Sequence, residues 1–386
     1  MAYNVKRQSA HSDHGRNSGR DDGLPLSVFH RTTIVNELDE ENSEDTLINA
    51  ISDLNLTEEN NISQTSATTN SLNVNLVDMY NPIIVGTCNV SWRLPKEHMN
   101  IENYKKCLRI PGEPPRYSPP THIPFSLPSA RTIYIQYPPT SLLPLLITAS
   151  TCNVNISNYN FVTERGNFNK IMMCDEMYSI GIIKIDNTIY LRRYVERKNM
   201  NKGDIGFQFE KVCTHSASFT SSTDYYNLIS GKIGHFNVLL LAETDAIDTN
   251  TERYLELKCS TRQNKRKLWT QSFLGGITSI IIGRRSSDNQ RIDSLLEHKT
   301  DELLEMNNKE KLMRHLYKIL NFLSTNVEEN QVYLFSRFRV LKGVSEYNQN
   351  KSSYRLKLCR ITSEQDLDKY TFMTKSLLSQ LPVPLN

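Results

Sequence analysis

The pattern of apolar and polar positions along the 386-residue chain changes texture twice. Up to about residue 75, apolar residues are sparse among Asn, Ser, Thr, Asp and Glu, and only Tyr3 and Phe29 are aromatic. Such a stretch buries too little apolar area to offset the entropy of ordering it, so residues 1–75 are expected to be a disordered N-terminal tail. Within it, EDTLINAISDLNL from Glu44 puts Leu47, Ile48, Ile51 and Leu54 at helical spacing and reads as a transient amphipathic helix. Residues 111–144 hold ten of the fifteen prolines. Proline fixes φ and lacks an N–H, so this segment should be extended and irregular. Tyr117, Phe125, Tyr134 and Tyr137 need somewhere to pack, which predicts a covering segment laid over the folded body.

From about residue 150, short apolar runs dominate. Tyr178 to Tyr194, with Asp-Asn at Asp186, reads as a β-hairpin. His235 to Asp248 reads as a buried strand and Arg253 to Ser260 as the next one. Lys267 to Gly276 reads as a helix ending on glycines, and the β-branched run Ile277 to Arg285 as a central strand. Residues 291–326 carry leucines at helical period, among them Leu295, Leu296, Leu303, Leu304, Leu312 and Leu316. Val332 to Val340 and Tyr354 to Ile361 read as late strands. The mix predicts an α/β (α+β) fold of mixed β-sheets flanked by helices. It would form one domain over residues 76–386, with a catalytic core at about 160–290.

Bulk composition narrows the setting. A formal net charge of +3 is only weakly basic, so charge alone does not call for a nucleic-acid partner. The seven cysteines are scattered and contain no CxxC pair, which argues against a disulfide framework or a structural zinc site and for a reducing compartment. The first residues lack an apolar signal core, and LLPLLITA from Leu142 is too short for a membrane span and carries a proline. A soluble protein of the nucleus or cytoplasm, without a membrane partner, is expected. No P-loop, GxGxxG, spaced histidine pair or nucleophile triad is present.

The chemistry lies in AETD followed by LELK. Residues i and i+2 of a strand share a face, so Glu243 and Asp245 are expected together, as are Glu256 and Lys258. On neighbouring strands, three carboxylates and one ammonium converge. Both runs are otherwise apolar, with Leu239, Leu240 and Leu241 on one and Leu255 and Leu257 on the other. Buried acids are costly unless a cation compensates them. A hard divalent ion on carboxylate oxygens, Mg²⁺ or Mn²⁺, is the natural one. Lys258 would then orient or deprotonate a water, or steady a phosphate oxygen. Glu-x-Lys alone also arises on solvated strands that carry ion pairs, but the upstream Glu-x-Asp between apolar neighbours favours chemistry. GFQFE, a short strand or the first turn of a helix, offers Glu210 as a further acid, against the plainer reading of a surface glutamate beside two core Phe residues.

Five strings in order, FVTERGNFNKIM, GFQFE, LLLAETDAID, YLELKCS and LWTQSFLGGITSIIIGRR, resemble the motifs of the DXO family of decapping exoribonucleases, from about Phe161 to Arg285. The resemblance implies metal ligands at Glu210, Asp245 and Glu256, a further acid at Glu243, and an oxygen ligand from the Leu257 carbonyl. It implies that Lys258 positions the water nucleophile and the scissile phosphate, that Arg165 contacts RNA phosphate or cap, and that Gln271 lines the site. It further implies a hydrolase that removes incomplete or nucleotide-cofactor caps from RNA 5′ ends, digests RNA 5′→3′, or does both. The expected partners are capped, cofactor-capped or 5′-phosphate RNA ends and a 5′→3′ exoribonuclease or other RNA-processing protein. The chain departs from the family pattern in places. Thr244 stands where a hydrophobic residue is usual, the connection from Lys258 to Trp269 is short and basic (Arg262, Lys265, Arg266, Lys267), and the family's N-terminal motifs are missing before residue 150. These departures keep open a catalytically silent paralogue that binds RNA 5′ ends as protector or scaffold. The acid pattern alone also fits a DNA nuclease of the same two-strand class.

Overall fold

A computed structural model describes residues 33–40 (backbone), 75–91, 100–128, 134–137, 141–174, 177–193, 198–201, 205–215, 223–260, 263–286, 291–340 and 353–381. Two mixed sheets flanked by helices form the body, as the alternation of apolar runs predicts. The larger sheet has ten strands among the described residues. Their order is Thr33–Glu40, Ser353–Arg360, Val332–Val340, Tyr178–Ile185, Thr188–Arg193, Phe161–Glu164 (β1), Thr223–Ile233's neighbour Phe236–Glu243 (β2), Thr223–Ile233 itself, Ile83–Ser91 and Leu108–Arg109. The smaller sheet runs Thr214–His215, Arg116–Tyr117, Ala246–Asp248 (β3), Tyr254–Ser260 (β4), Ser279–Arg285 (β5), Arg291–Lys299 and Phe125–Ser126.

The Asp-Asn hairpin forms as expected. Asp186 and Asn187 both take positive φ, 49° and 67°, and these residue types tolerate that region best after glycine. Four helices matter for the site: Arg165–Met173 (α1), Ile205–Cys213 (α2), Lys265–Leu274 (α3) and Met306–Asn326 (α4). One core cluster lies against α1, α3 and α4 and includes Phe168, Val238, Leu240, Trp269, Ile280, Ile282 and Leu316. A second lies on the other face of the larger sheet beneath the buried helix Leu143–Thr151. A third, with Phe209, Leu255, Leu257, Ile281 and Ile292, joins α2 to the smaller sheet.

The structure corrects three expectations. The run from His235 to Asp248 is two strands in two sheets, because β2 stops at Glu243 and β3 begins at Ala246. Arg291–Lys299 is a strand antiparallel to β5, not the start of the helix; this pairing overrides the leucine spacing, and the α-helix is confined to α4 after a 3-10 turn at Thr300–Glu302. Thr33–Glu40, inside the stretch expected to be disordered, pairs along Ser353–Arg360 at the edge of the larger sheet. The candidate helix from Glu44 lies outside the described residues. The proline-rich segment contributes Arg116–Tyr117 and Phe125–Ser126 to the smaller sheet on opposite sides of β3–β5, where Tyr117 and Phe125 pack on the third cluster. Its Tyr134–Tyr137 pairs with Lys198–Asn201. No helix among the described residues is long and apolar enough to cross a membrane.

Candidate active site

Thr244 and Asp245 carry the chain from one sheet to the other. Asp245 therefore sits in the crossover and not on a strand, and the same-face rule does not place it beside Glu243. Register brings it to β4 instead: Ala246 stands opposite Leu255, so Asp245 reaches the next positions of that strand. Its Oδ2 accepts the Leu257 N–H at 2.7 Å and lies 3.2 Å from Lys258 Nζ. On β4, Leu255 and Leu257 face the third core cluster. Strand alternation turns Glu256 and Lys258 to the other face, toward α1 and α3.

Glu256 is 1% exposed and has three partners. Lys258 Nζ pairs with its Oε1, Gln271 Nε2 donates to the same oxygen, and Arg165 Nη1 reaches Oε2 at 3.4 Å. Arg165 Nη1 also donates to the Gln271 carbonyl at 3.2 Å. The arginine expected to touch RNA is only 7% exposed, with its Nη1 turned to Glu256 and the Gln271 carbonyl. Lys258 Nζ donates at 3.2 Å to the Leu257 carbonyl, the backbone oxygen expected among the ligands. Glu210 projects from α2, whose Phe209 packs on Gly283 of β5; a Cβ at 283 would lie 2.4 Å from that ring. GFQFE is thus helical, the second of the two forms left open by the sequence. Lys265, Arg266 and Lys267 form the exposed first turn of α3, and Arg262 lies outside the described residues.

Electrostatics link these groups. Burial, then the Asp245 carboxylate, pushes Glu210 well above the usual carboxyl range. Burial and Glu256 push Asp245 up to about 7. Burial alone would raise Glu256 too, but Lys258 and Arg165 outweigh it and hold that carboxyl below its ordinary value. Burial would lower Lys258, yet Asp245, Glu256 and Glu210 hold it above the normal lysine range. The ammonium form so favoured suits steadying a phosphate oxygen or orienting a water.

Sequence reasoning missed the neighbourhood of Glu243. Tyr226 stands opposite it in the ladder, and burial followed by Glu243, Asp224 and Glu164 raises that phenol. Glu164, at the end of β1 opposite Leu241, is the residue just before Arg165. Its signal was the acid inside TERG.

The donor set fits a hard divalent cation: carboxylates at 210, 245 and 256 and a backbone oxygen at 257, with two of the carboxyl groups pushed toward protonation by burial and then by mutual repulsion. The four acids do not, however, close around one point. Among the described residues no three His, Cys, Asp or Glu side chains stand close enough to hold a metal as they are placed. The Lys258 ammonium bridges Asp245 and Glu256 instead.

An acid-bearing crossover beside a Glu-x-Lys strand, with helices over the sheet, defines a PD-(D/E)XK-type nuclease core. Residues 115–366 match the RAI1-like PD-(D/E)XK nuclease family, and the chain belongs to that family. No curated protein matches it by sequence. Similar solved structures include Rai1 of S. pombe, at 18% identity and TM-score 0.55, over 73% of this chain and 94% of that one. Candida albicans Rai1 in complex with pU5-Mn²⁺ aligns at 16% identity and TM-score 0.55, over 78% and 94%. Scheffersomyces stipitis Rai1 in complex with (3′-NADP)⁺ and calcium ion aligns at 14% and 0.55, over 82% and 96%.

Proposed function

We propose that this protein is a divalent-metal-dependent hydrolase of RNA 5′ ends, acting in the nucleus or cytoplasm. Its substrates would be RNAs with incomplete or nucleotide-cofactor caps, or with 5′-phosphate ends. The observation that carries this reading is the contact set of Asp245, Glu256 and Lys258 on one side of β4, coupled to Glu210. The relatives bound to pU5-Mn²⁺ and to (3′-NADP)⁺ with calcium supply the substrate class. Glu210, Asp245, Glu256 and the Leu257 carbonyl would hold Mg²⁺ or Mn²⁺, with Glu243 as a further acid. Such an ion supplies Lewis-acid polarisation of the phosphate and an activated water.

The chain's own residues do the rest. Lys258, which bridges Asp245 and Glu256, would offer its ammonium to a non-bridging phosphate oxygen, while those two carboxylates would hold the ion. Gln271 and Arg165 would keep Glu256 aimed, and Arg165 helps Lys258 hold it ionised. Replacing Asp245 and Glu256 together by Ala should abolish metal-dependent release of label from 5′-labelled RNA; unchanged release sinks the proposal. Matched DNA strands in the same assay test the DNA-nuclease reading.

One observation favours a second reading. The Lys258 bridge compensates two carboxylates without any ion, which suits a silent paralogue that binds RNA 5′ ends. Calorimetry with Mn²⁺ separates the two, because a silent binder takes up no metal at micromolar concentrations.

A further inference from the structure

The crossover between the sheets contains only Thr244 and Asp245, with Glu243 just before it. Thr244 is 2% exposed, and the polar group it carries needs a partner at that depth. Its N–H donates to the Tyr225 carbonyl at 3.0 Å. Its hydroxyl accepts from Asn227 Nδ2 at 3.1 Å, and Asn227 is wholly buried. The carbonyl oxygen of that amide accepts from the Tyr225 hydroxyl at 2.9 Å. The Tyr225 proton is thereby committed, so across the 3.4 Å contact with Tyr254 the Tyr254 hydroxyl is the donor. The two tyrosine rings stack, with centroids 6.4 Å apart at 16°. Tyr254 opens β4, two residues before Glu256 and four before Lys258. One directed chain of hydrogen bonds therefore runs from the start of the Glu-x-Lys strand, through a strand of the larger sheet, to the residue between the two crossover acids.

We propose that Tyr254, Tyr225, Asn227 and Thr244 form a positioning relay that fixes the Glu243–Asp245 crossover relative to the Glu256–Lys258 strand, and so sets the spacing of the cation-binding carboxylates. The inference rests on the proposed reading of that site as a metal centre. It gives the departure at Thr244 a physical meaning. A hydrophobic residue there would leave the buried Asn227 amide without its acceptor, so the threonine and the asparagine work as a pair. None of the four residues reaches the reacting atoms; they act through Glu243 and Asp245.

The test is Mn²⁺ calorimetry on the full chain, with melting temperature followed in parallel. Thr244→Val keeps the shape and removes the hydroxyl; it should weaken Mn²⁺ binding roughly tenfold, the size of effect usual for partners that orient metal ligands. Thr244→Ser, which restores the acceptor, should bind Mn²⁺ like the wild type. Tyr254→Phe, at the partly exposed end of the relay, should weaken binding in the same direction even if Thr244→Val folds poorly. Ile229→Val, buried on the Asn227 strand and outside the relay, controls for lost stability and should leave affinity unchanged. Wild-type affinity in both Thr244→Val and Tyr254→Phe, or an equal loss in Ile229→Val, overturns the relay while the metal centre stands. A wild type that takes up no Mn²⁺ overturns both.

Discussion

Arg165 shows how a side chain's surroundings change its meaning. Its guanidinium and the Glu256 carboxylate are both buried, and removing the arginine leaves Glu256 Oε2 without its charged partner and Lys258 as the one cation on that carboxylate among the described contacts. Arg165→Met should destabilise the fold by about 3 kcal/mol in urea titrations. A loss within the error of such titrations would mean that the arginine faces substrate instead. His315 on α4 makes a second test. Burial, helped by Arg337, Lys318 and Arg266, lowers its pKa to about 4. The unfolded chain titrates near the ordinary value of about 6.5, so it binds the proton more readily than the fold does. The stability held by neutral His315 is present above about 6.5 and is lost as pH falls toward 4, on the order of 3 kcal/mol in total. His315→Gln retains a donor for the Ile171 carbonyl and removes the titration. Its melting temperature should fall less between pH 7 and about 4.5 than that of the wild type.

The elements differ in how plainly the sequence announces them. The 178–193 hairpin is legible because Asp-Asn supplies the two positive-φ positions its turn requires. β5 is legible because an uninterrupted β-branched run belongs between two strands. The sheet switch at Thr244 is not, since no glycine or proline interrupts an apolar run that continues into the second sheet. Arg291–Lys299 is hidden because Leu295 and Leu296 match the spacing of the helix that follows. At the site, the shared face of Glu256 and Lys258 on β4 is legible from i, i+2 logic, whereas Asp245 reaches them from the crossover, where that logic does not apply. The burial of Arg165, the Lys258 bridge and the acids around Tyr226 are not legible, because each depends on pairings between elements distant in sequence. The packing of α2 on β5 is a further consequence of such pairing. Gly283→Ala would drive a methyl into the Phe209 ring and should cost about 1–3 kcal/mol. It should also displace Glu210 and weaken Mn²⁺ binding; unaltered affinity would show that Glu210 stands apart from the ion.

For the molecule as a whole, the site trades fold stability against metal affinity. Asp245 binds a proton more tightly folded than unfolded, with its pKa at about 7. Without metal, the stability held by protonated Asp245 is fully present below about pH 4 and is lost as pH rises through about 7, so the melting temperature should decline from about pH 4 to 7 and level off above that. Saturating Mn²⁺ replaces that proton and should abolish the decline. Mn²⁺ affinity itself should drop on the order of tenfold per pH unit below about 7, because the ion competes with the proton. A flat affinity across that range in calorimetry would remove Asp245 from the ligand set.

Residues 116–126 reach from one side of β3–β5 to the other, with Thr214–His215 paired outside Arg116–Tyr117. A single backbone nick between Ser118 and Ile123 would leave every acid in place and yet untie both flanks of β3–β5. The bare strand edges would then zip onto those of other copies. Limited proteolysis of this strap should therefore yield insoluble protein before it yields inactive protein.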